Sequence, residues 1–197
     1  MNTELEATFL DIDPESLRRT LTQVGARLIY PERLMKRKVF DYPDSRLQKA
    51  GVWIRVRDEG DKVTMSFKQL VNRELDGTKE VCLTVDDFNN ACEFLTAAGF
   101  LAKSFQETKR EKWLLDDVEI TLDTWPWIPT FVEVEGESKE KLREAANKLN
   151  LKWDQALFGS VENVYQSYYD VTEEEIDNLP EMLFSEVPSW LEAKRKI

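Results

Sequence analysis

Apolar residues in this chain recur with two different periods, and the period decides the element. Three stretches keep the spacing of an amphipathic helix. In the first, Asp13 stands as an N-cap before Pro14 at the first helical position, Leu17, Leu21 and Val24 follow on one face, and Gly25 closes the segment. Asp86 and Asp87 open the second, whose stripe is Phe88, Ala91, Cys92 and Leu95, with Gly99 behind it. Ser138 caps the third, where Leu142, Ala145, Ala146 and Leu149 form the apolar side.

Elsewhere strict alternation takes over and predicts strands. Segment 52–57 places Val52, Ile54 and Val56 on one face and Trp53, Arg55 and Arg57 on the other, and segment 63–68 groups Thr64, Ser66 and Lys68. The turn Asp58-Glu59-Gly60-Asp61 between them makes the pair a hairpin. Glu119, Thr121 and Asp123 share a face of segment 118–123, Phe131, Glu133 and Glu135 a face of 131–135, and Glu4, Glu6 and Thr8 a face of 3–9. Strand segments followed by a helix recur loosely, without an exact repeat. The expected class is therefore α+β, mostly antiparallel strands with helices packed on the apolar face. Segment 124–129 is a proline-stiffened connection, and Thr172-Glu173-Glu174-Glu175 has capping-box spacing for a short helix that Pro180 ends. Residues from 171 onward read as an appendage.

Composition narrows the chemistry. The 197 residues suit one generous domain, or a domain with an appendage, large enough to fold without a disulfide or structural metal. With 27 basic and 38 acidic side chains the net charge is −11, which argues against a non-specific nucleic-acid or anionic-membrane binder. There is no histidine, so triads, zinc sites and proton relays built on imidazole are excluded. Two cysteines, Cys82 and Cys92, do not make a disulfide scaffold, and Cys92 on its helix stripe reads as a buried thiol. No basic region followed by an apolar run opens the chain, and no stretch is long and apolar enough for a membrane span. The expectation is a soluble, cytoplasmic protein.

Alternating charge on one strand ordinarily means a solvated sheet face. Here the signs are segregated by strand, with Glu4, Glu6, Glu133 and Glu135 against Arg55 and Arg57. Carboxylates at i and i+2 sit roughly 7 Å apart, and neighbouring acidic strands would repel unless a cation or facing basic groups neutralise them. A sheet whose other face is covered by helices is better explained by curling around a charged interior. Carboxylates without histidine or cysteine suit hard divalent cations, and paired arginines suit phosphates. Together they are the parts of metal-assisted chemistry on a polyphosphate.

In order, these residues resemble the CYTH superfamily, the triphosphate tunnel metalloenzymes. The resemblance starts at Glu4-x-Glu6 and continues through Val39-Phe40-Asp41-Tyr42-Pro43, Trp53-Ile54-Arg55-Val56-Arg57 and Lys68. It resumes at Lys109-Arg110, Trp113 and Leu122-Asp123, and ends at Phe131-Val132-Glu133-Val134-Glu135-Gly136. It implies an eight-stranded antiparallel β-barrel forming a charged tunnel, with helices packed outside, over residues 1–170, and a C-terminal helical extension over 171–197. It implies metal positions at Glu4, Glu6 and Glu135 with Asp123 and Glu133 beside them, and triphosphate positions at Arg55, Arg57, Lys68 and Arg110. Glu4, Glu6, Lys68 and Arg110 are the candidate catalytic groups. Lys36, Arg37 and Lys38 either reach the tunnel mouth or form a solvated basic run, and Glu80 is either an acidic tunnel position or half of a surface ion pair. Of Lys109 and Arg110, Arg110 is expected inward.

One departure stands out: the family pattern Glu-x-Glu-x-Lys has Thr8 in place of lysine, and Lys36 or Lys38 could supply the missing cation. The implied function is hydrolysis of a triphosphate-containing substrate with Mg2+ or Mn2+. The alternatives are a class IV adenylyl cyclase making cyclic AMP and pyrophosphate from ATP, and a non-catalytic polyphosphate binder. The expected partner is a small-molecule triphosphate (ATP, thiamine triphosphate or tripolyphosphate), with no nucleic acid and no membrane, and a homodimer is compatible with the chain. Trp125, Trp127, Tyr165, Tyr168 and Tyr169 read as core and rim packing, with stacking on a substrate ring as the alternative.

Overall fold

A computed structural model describes residues 1–196. Eight strands close into an antiparallel barrel: β1 (Asn2–Phe9), β2 (Arg27–Asp41), β3 (Val52–Asp58), β4 (Val63–Leu70), β5 (Thr78–Val85), β6 (Leu101–Leu115), β7 (Val118–Thr124) and β8 (Phe131–Gly136). Around the barrel they run β2-β3-β4-β5-β1-β8-β7-β6, and a second pairing of β6 with β2 shuts the ring. Closure explains the segregated charges. On β1, β3, β7 and β8 one face lies under the helices and the other lines the cavity, so the polar rows converge. The strand length is the surprise, because β2 and β6 each run for 15 residues and their pairing forms the longest seam of the barrel.

The helices form where their caps and stripes predict. Asp13 accepts from the amides of Glu15 and Ser16 to start α1 (Pro14–Gln23), Asp87 from Asn90 to start α2 (Phe88–Ala97), and Ser138 from Lys141 to start α3 (Lys139–Lys148). Leu17 and Leu21 of α1 join Leu142, Ala145 and Ala146 of α3 over the outer faces of β1, β7 and β8, against Ala7, Ile120, Val132 and Val134. Ala91, Cys92 and Leu95 of α2 cover Phe40 and Val56. Each fully buried aliphatic side chain contributes roughly 1.5–3 kcal/mol, so these covers fix which face of every strand points out.

The C-terminal part packs on one end of the barrel. It holds α4 (Val161–Tyr168), α5 (Glu173–Asp177), a two-residue strand β9 (Glu181–Met182) paired parallel to β6 outside the ring, and α6 (Ser189–Glu192). The Thr172/Glu175 capping box is present. Trp125, Tyr165 and Tyr169 are core residues shared with Ile176, Met182 and Leu191. The Tyr165 hydroxyl donates to the Pro126 carbonyl at 2.8 Å and the Tyr169 hydroxyl to the Trp127 carbonyl at 2.6 Å, tying the proline-stiffened connection to α4. No helix among the described residues is long and apolar enough to cross a membrane.

Candidate functional site

The barrel encloses a cavity of about 420 Å³ lined by both walls of charge. The acidic wall comes from β1, β8 and β7. Glu6 lies directly opposite Glu135 in the β1–β8 register, Thr8 opposite Glu133, and Glu119 opposite Glu135 on the far side. The basic wall comes from β3 and β4, with Arg55 and Arg57 on one strand and Lys68 on the next, and Arg110 of β6 stands beside the carboxylates. Alternation alone puts these side chains on the inside, because their neighbours Val56, Val132 and Val134 are buried beneath the helices.

Across the lumen the walls are cross-tied. Lys68 Nζ donates to both Glu4 oxygens at 2.8 and 2.9 Å and lies 3.6 Å from Glu80, which is itself 3.5 Å from Arg55. Glu80 is thus an inward acid, not half of a surface ion pair. Arg110 faces inward as expected, donating through Nε to Asp123 at 2.6 Å and through Nη2 to Glu133 at 2.7 Å. Lys109 points outward towards Glu32. Asp123 has no exposed surface, and Thr121 donates to its second oxygen at 2.7 Å. Each of its oxygens thus accepts a hydrogen bond, and Asp123 anchors Arg110.

The electrostatics of each wall oppose its own charge. Burial, reinforced by Glu135 and Glu4, lifts Glu6 to about 7, although Lys68 and Arg110 pull the other way. Burial likewise raises Glu4 against the pull of Lys68, and raises Glu133 well above the carboxylate range with help from Glu6 and Asp123. On the basic side, burial and the neighbouring Arg57 bring Arg55 down to about 10. Burial also works against Arg110, but Asp123 and Glu133 outweigh it and hold its charge firmly. Carboxylates crowded on one side and guanidinium groups on the other are a surface that a cation and a polyanion would each relieve.

Two of the expected cations are elsewhere. Lys36 and Lys38 share the outer phase of β2 with Phe40, which is buried against α2, and the Lys38 ammonium sits 6.0 Å from the Phe88 ring. The basic residue that enters the tunnel from this run is Arg37, whose Nη2 donates to Thr108 at 2.8 Å and whose guanidinium lies 4.5 Å from the Trp125 ring centroid. Glu59 was legible only as a turn residue. It is 4% exposed and accepts from Arg57 Nε and Nη2 at 3.0 and 2.6 Å and from the Thr64 hydroxyl at 3.0 Å.

Oxygen donors are the only kind the acidic wall offers, and among the described residues nothing donates a hydrogen bond to the Glu6 or Glu135 side chain. That donor set fits a hard divalent cation. As the side chains stand, no three of the described carboxylates converge on one point, so holding an ion would take rotamer changes.

The CYTH domain profile matches residues 39–169. No curated protein matches the sequence. Several solved structures share the fold. A candidate adenylate cyclase from Vibrio parahaemolyticus is 15% identical, with a TM-score of 0.72 over 84% of this chain and 98% of that one. A conserved hypothetical protein from Pyrococcus furiosus is 25% identical, with a TM-score of 0.64 over 78% of this chain and 94% of its own. HpAC1 from Hippeastrum, a candidate adenylyl cyclase described as having a dominant triphosphatase activity, is 14% identical, with a TM-score of 0.59 over 85% and 96%.

Proposed function

The chain belongs to the CYTH domain family, and on that premise we propose that it is a divalent-metal-dependent hydrolase of a triphosphate-containing compound, inorganic or organic, bound inside the barrel. CYTH proteins bind triphosphate substrates such as ATP and generally depend on a divalent metal. The observation that carries the reading for this chain is the enclosure of an acidic and a basic wall in one cavity, Glu6 opposite Glu135 on one side and Arg55 and Arg57 on the other.

Glu4, Glu6 and Glu135, with Asp123 and Glu133 beside them, would hold Mg2+ or Mn2+. When bound, such an ion supplies Lewis-acid polarisation of phosphorus and a more acidic water. The chain's own groups do the rest. Arg55 receives the non-bridging oxygens, Arg57 adds the donors that Glu59 leaves free, and Lys68 exchanges Glu4 for a phosphoryl oxygen. Arg110, fixed by Asp123, meets the charge that builds as the bridging P–O bond breaks and the water oxygen bonds to phosphorus. Residues 1–170 would carry this chemistry, with 171–197 as a supporting extension. Its place would be the cytoplasm, where such triphosphates abound.

Likeness to the Vibrio protein supports a second reading, in which the ribose 3′-hydroxyl of ATP attacks the α-phosphorus and pyrophosphate leaves. Incubation with tripolyphosphate and with ATP, each with Mg2+ or Mn2+, separates the two. Orthophosphate release is expected. Cyclic AMP with pyrophosphate would establish the cyclase, and tight binding without any product would mean a polyphosphate binder in which Thr8 has cost the activity. Arg55→Gln should reduce turnover by about 100-fold, the usual loss when a transition-state donor is removed.

A further inference from the structure

Every tunnel cation described so far has a carboxylate partner except one. Lys68 has Glu4, Arg55 has Glu80, Arg57 has Glu59, and Arg110 has Asp123 with Glu133. Among the described residues Arg37 has none. It is 6% exposed, its Nε is buried with no acceptor, and its recorded side-chain hydrogen bond goes to the neutral hydroxyl of Thr108 at 2.8 Å. Directly across the β2–β3 register stands Arg57, a like charge. A charge this deeply buried, unpaired and faced by another cation is a fold liability unless something negative reaches it.

The surroundings show what that something is. Arg37 lines the same cavity as Arg55, Arg57 and Arg110, so the local field is that of several cations. The Trp125 ring forms one wall of its slot, 4.5 Å from the guanidinium carbon, and itself belongs to the core shared with the C-terminal extension. Thr108 fixes one nitrogen, and Nε is left without an acceptor. A planar guanidinium held at one nitrogen, without a carboxylate and among other cations, matches the oxygens of a phosphoryl group.

We propose that Arg37 is a substrate-binding residue of the tunnel, its guanidinium left without a carboxylate so that it can take an oxygen of the phosphate chain. The assignment rests on the triphosphate reading above and adds a residue to it. It also gives the C-terminal extension a part in the site, since that extension holds Trp125 behind the guanidinium.

The test uses Arg37→Gln, which keeps a donor for Thr108 but removes the charge, and Arg37→Lys, which restores a charge without the fork. Binding is measured by calorimetry with Mg2+ and the tripolyphosphate analogue whose bridging oxygens are replaced by NH, so that nothing turns over. Melting temperature is read with and without that analogue. Arg37→Gln is expected to lose about tenfold or more in affinity, as for a charged hydrogen bond, and to melt at or above the wild-type temperature when ligand-free. Arg37→Lys should fall between. An arginine with a purely structural role gives the reverse, so a ligand-free Arg37→Gln that melts lower or fails to fold overturns the assignment. Wild-type affinity in Arg37→Gln also overturns it and leaves the tunnel reading intact. A wild-type protein that binds no analogue removes both.

Discussion

At position 59 a residue that the sequence presents as part of a solvated turn becomes a buried acid. Gly60, at φ +90°, turns the chain back, its amide donates to Asp58, and Glu59 folds inward under Arg57 and Thr64. Burial alone would push its carboxyl up, but Arg57 and Thr64 outweigh burial and hold it at about 2. Because the folded value lies below the unfolded one, the stabilisation is present above about pH 4.5 and is lost as the pH falls towards 2, on the order of 3 kcal/mol in all. Glu59→Gln should therefore cost roughly that much at pH 7 by urea titration, and clearly less at pH 3.5. An equal cost at both values would mean that the ion pair contributes nothing.

At the scale of the element, one strand decides which basic residues are available to the site. Lys36, Arg37 and Lys38 are equivalent as composition, but on a regular strand only one phase can enter the lumen. Phe40 sets that phase, since its ring is 1% exposed against α2 and every second residue before it must face the same way. This signal is present in the sequence, since Lys36, Lys38 and Phe40 are two residues apart. Lys36→Ala and Lys38→Ala should each leave triphosphate turnover within about twofold of wild type, because surface substitutions away from a network are near neutral. A tenfold loss in either would place that lysine at the tunnel mouth after all. The other strand faces were easier to read. In 52–57 and 131–135 the outward residues Ile54, Val56, Val132 and Val134 are β-branched and regularly spaced, and the helices opposite them carry matching stripes. The full lengths of β2 and β6 were not legible, since their alternation is broken by charged residues on both faces and by register shifts in the pairing.

Over the whole molecule, the C-terminal extension is fastened to the barrel by core side chains. Leu191 has no exposed surface and shares its cluster with Trp125, Tyr165 and Tyr169, and the Asp170 amide donates to the Lys194 carbonyl at 2.7 Å. Leu191→Ala should destabilise the protein by about 2–5 kcal/mol, the cost of a cavity at a fully buried leucine. If the extension and barrel share one core, calorimetry will show a single transition moved to lower temperature. Two separated transitions would mean that residues 171–197 melt as their own unit.

The amino-acid sequence by itself determined the local elements and the inward and outward faces of most strands, because caps and two-residue alternation are local physics. It also ruled out imidazole as a ligand for any metal, since the chain has no histidine. Tertiary structure alone decided who meets whom. Which carboxylate each cation holds, that Asp123 anchors Arg110, and that Arg37 is left without a carboxylate all depend on strand register and on closure of β6 against β2. Those contacts join residues far apart in the chain, and their energies depend on burial that no single segment carries.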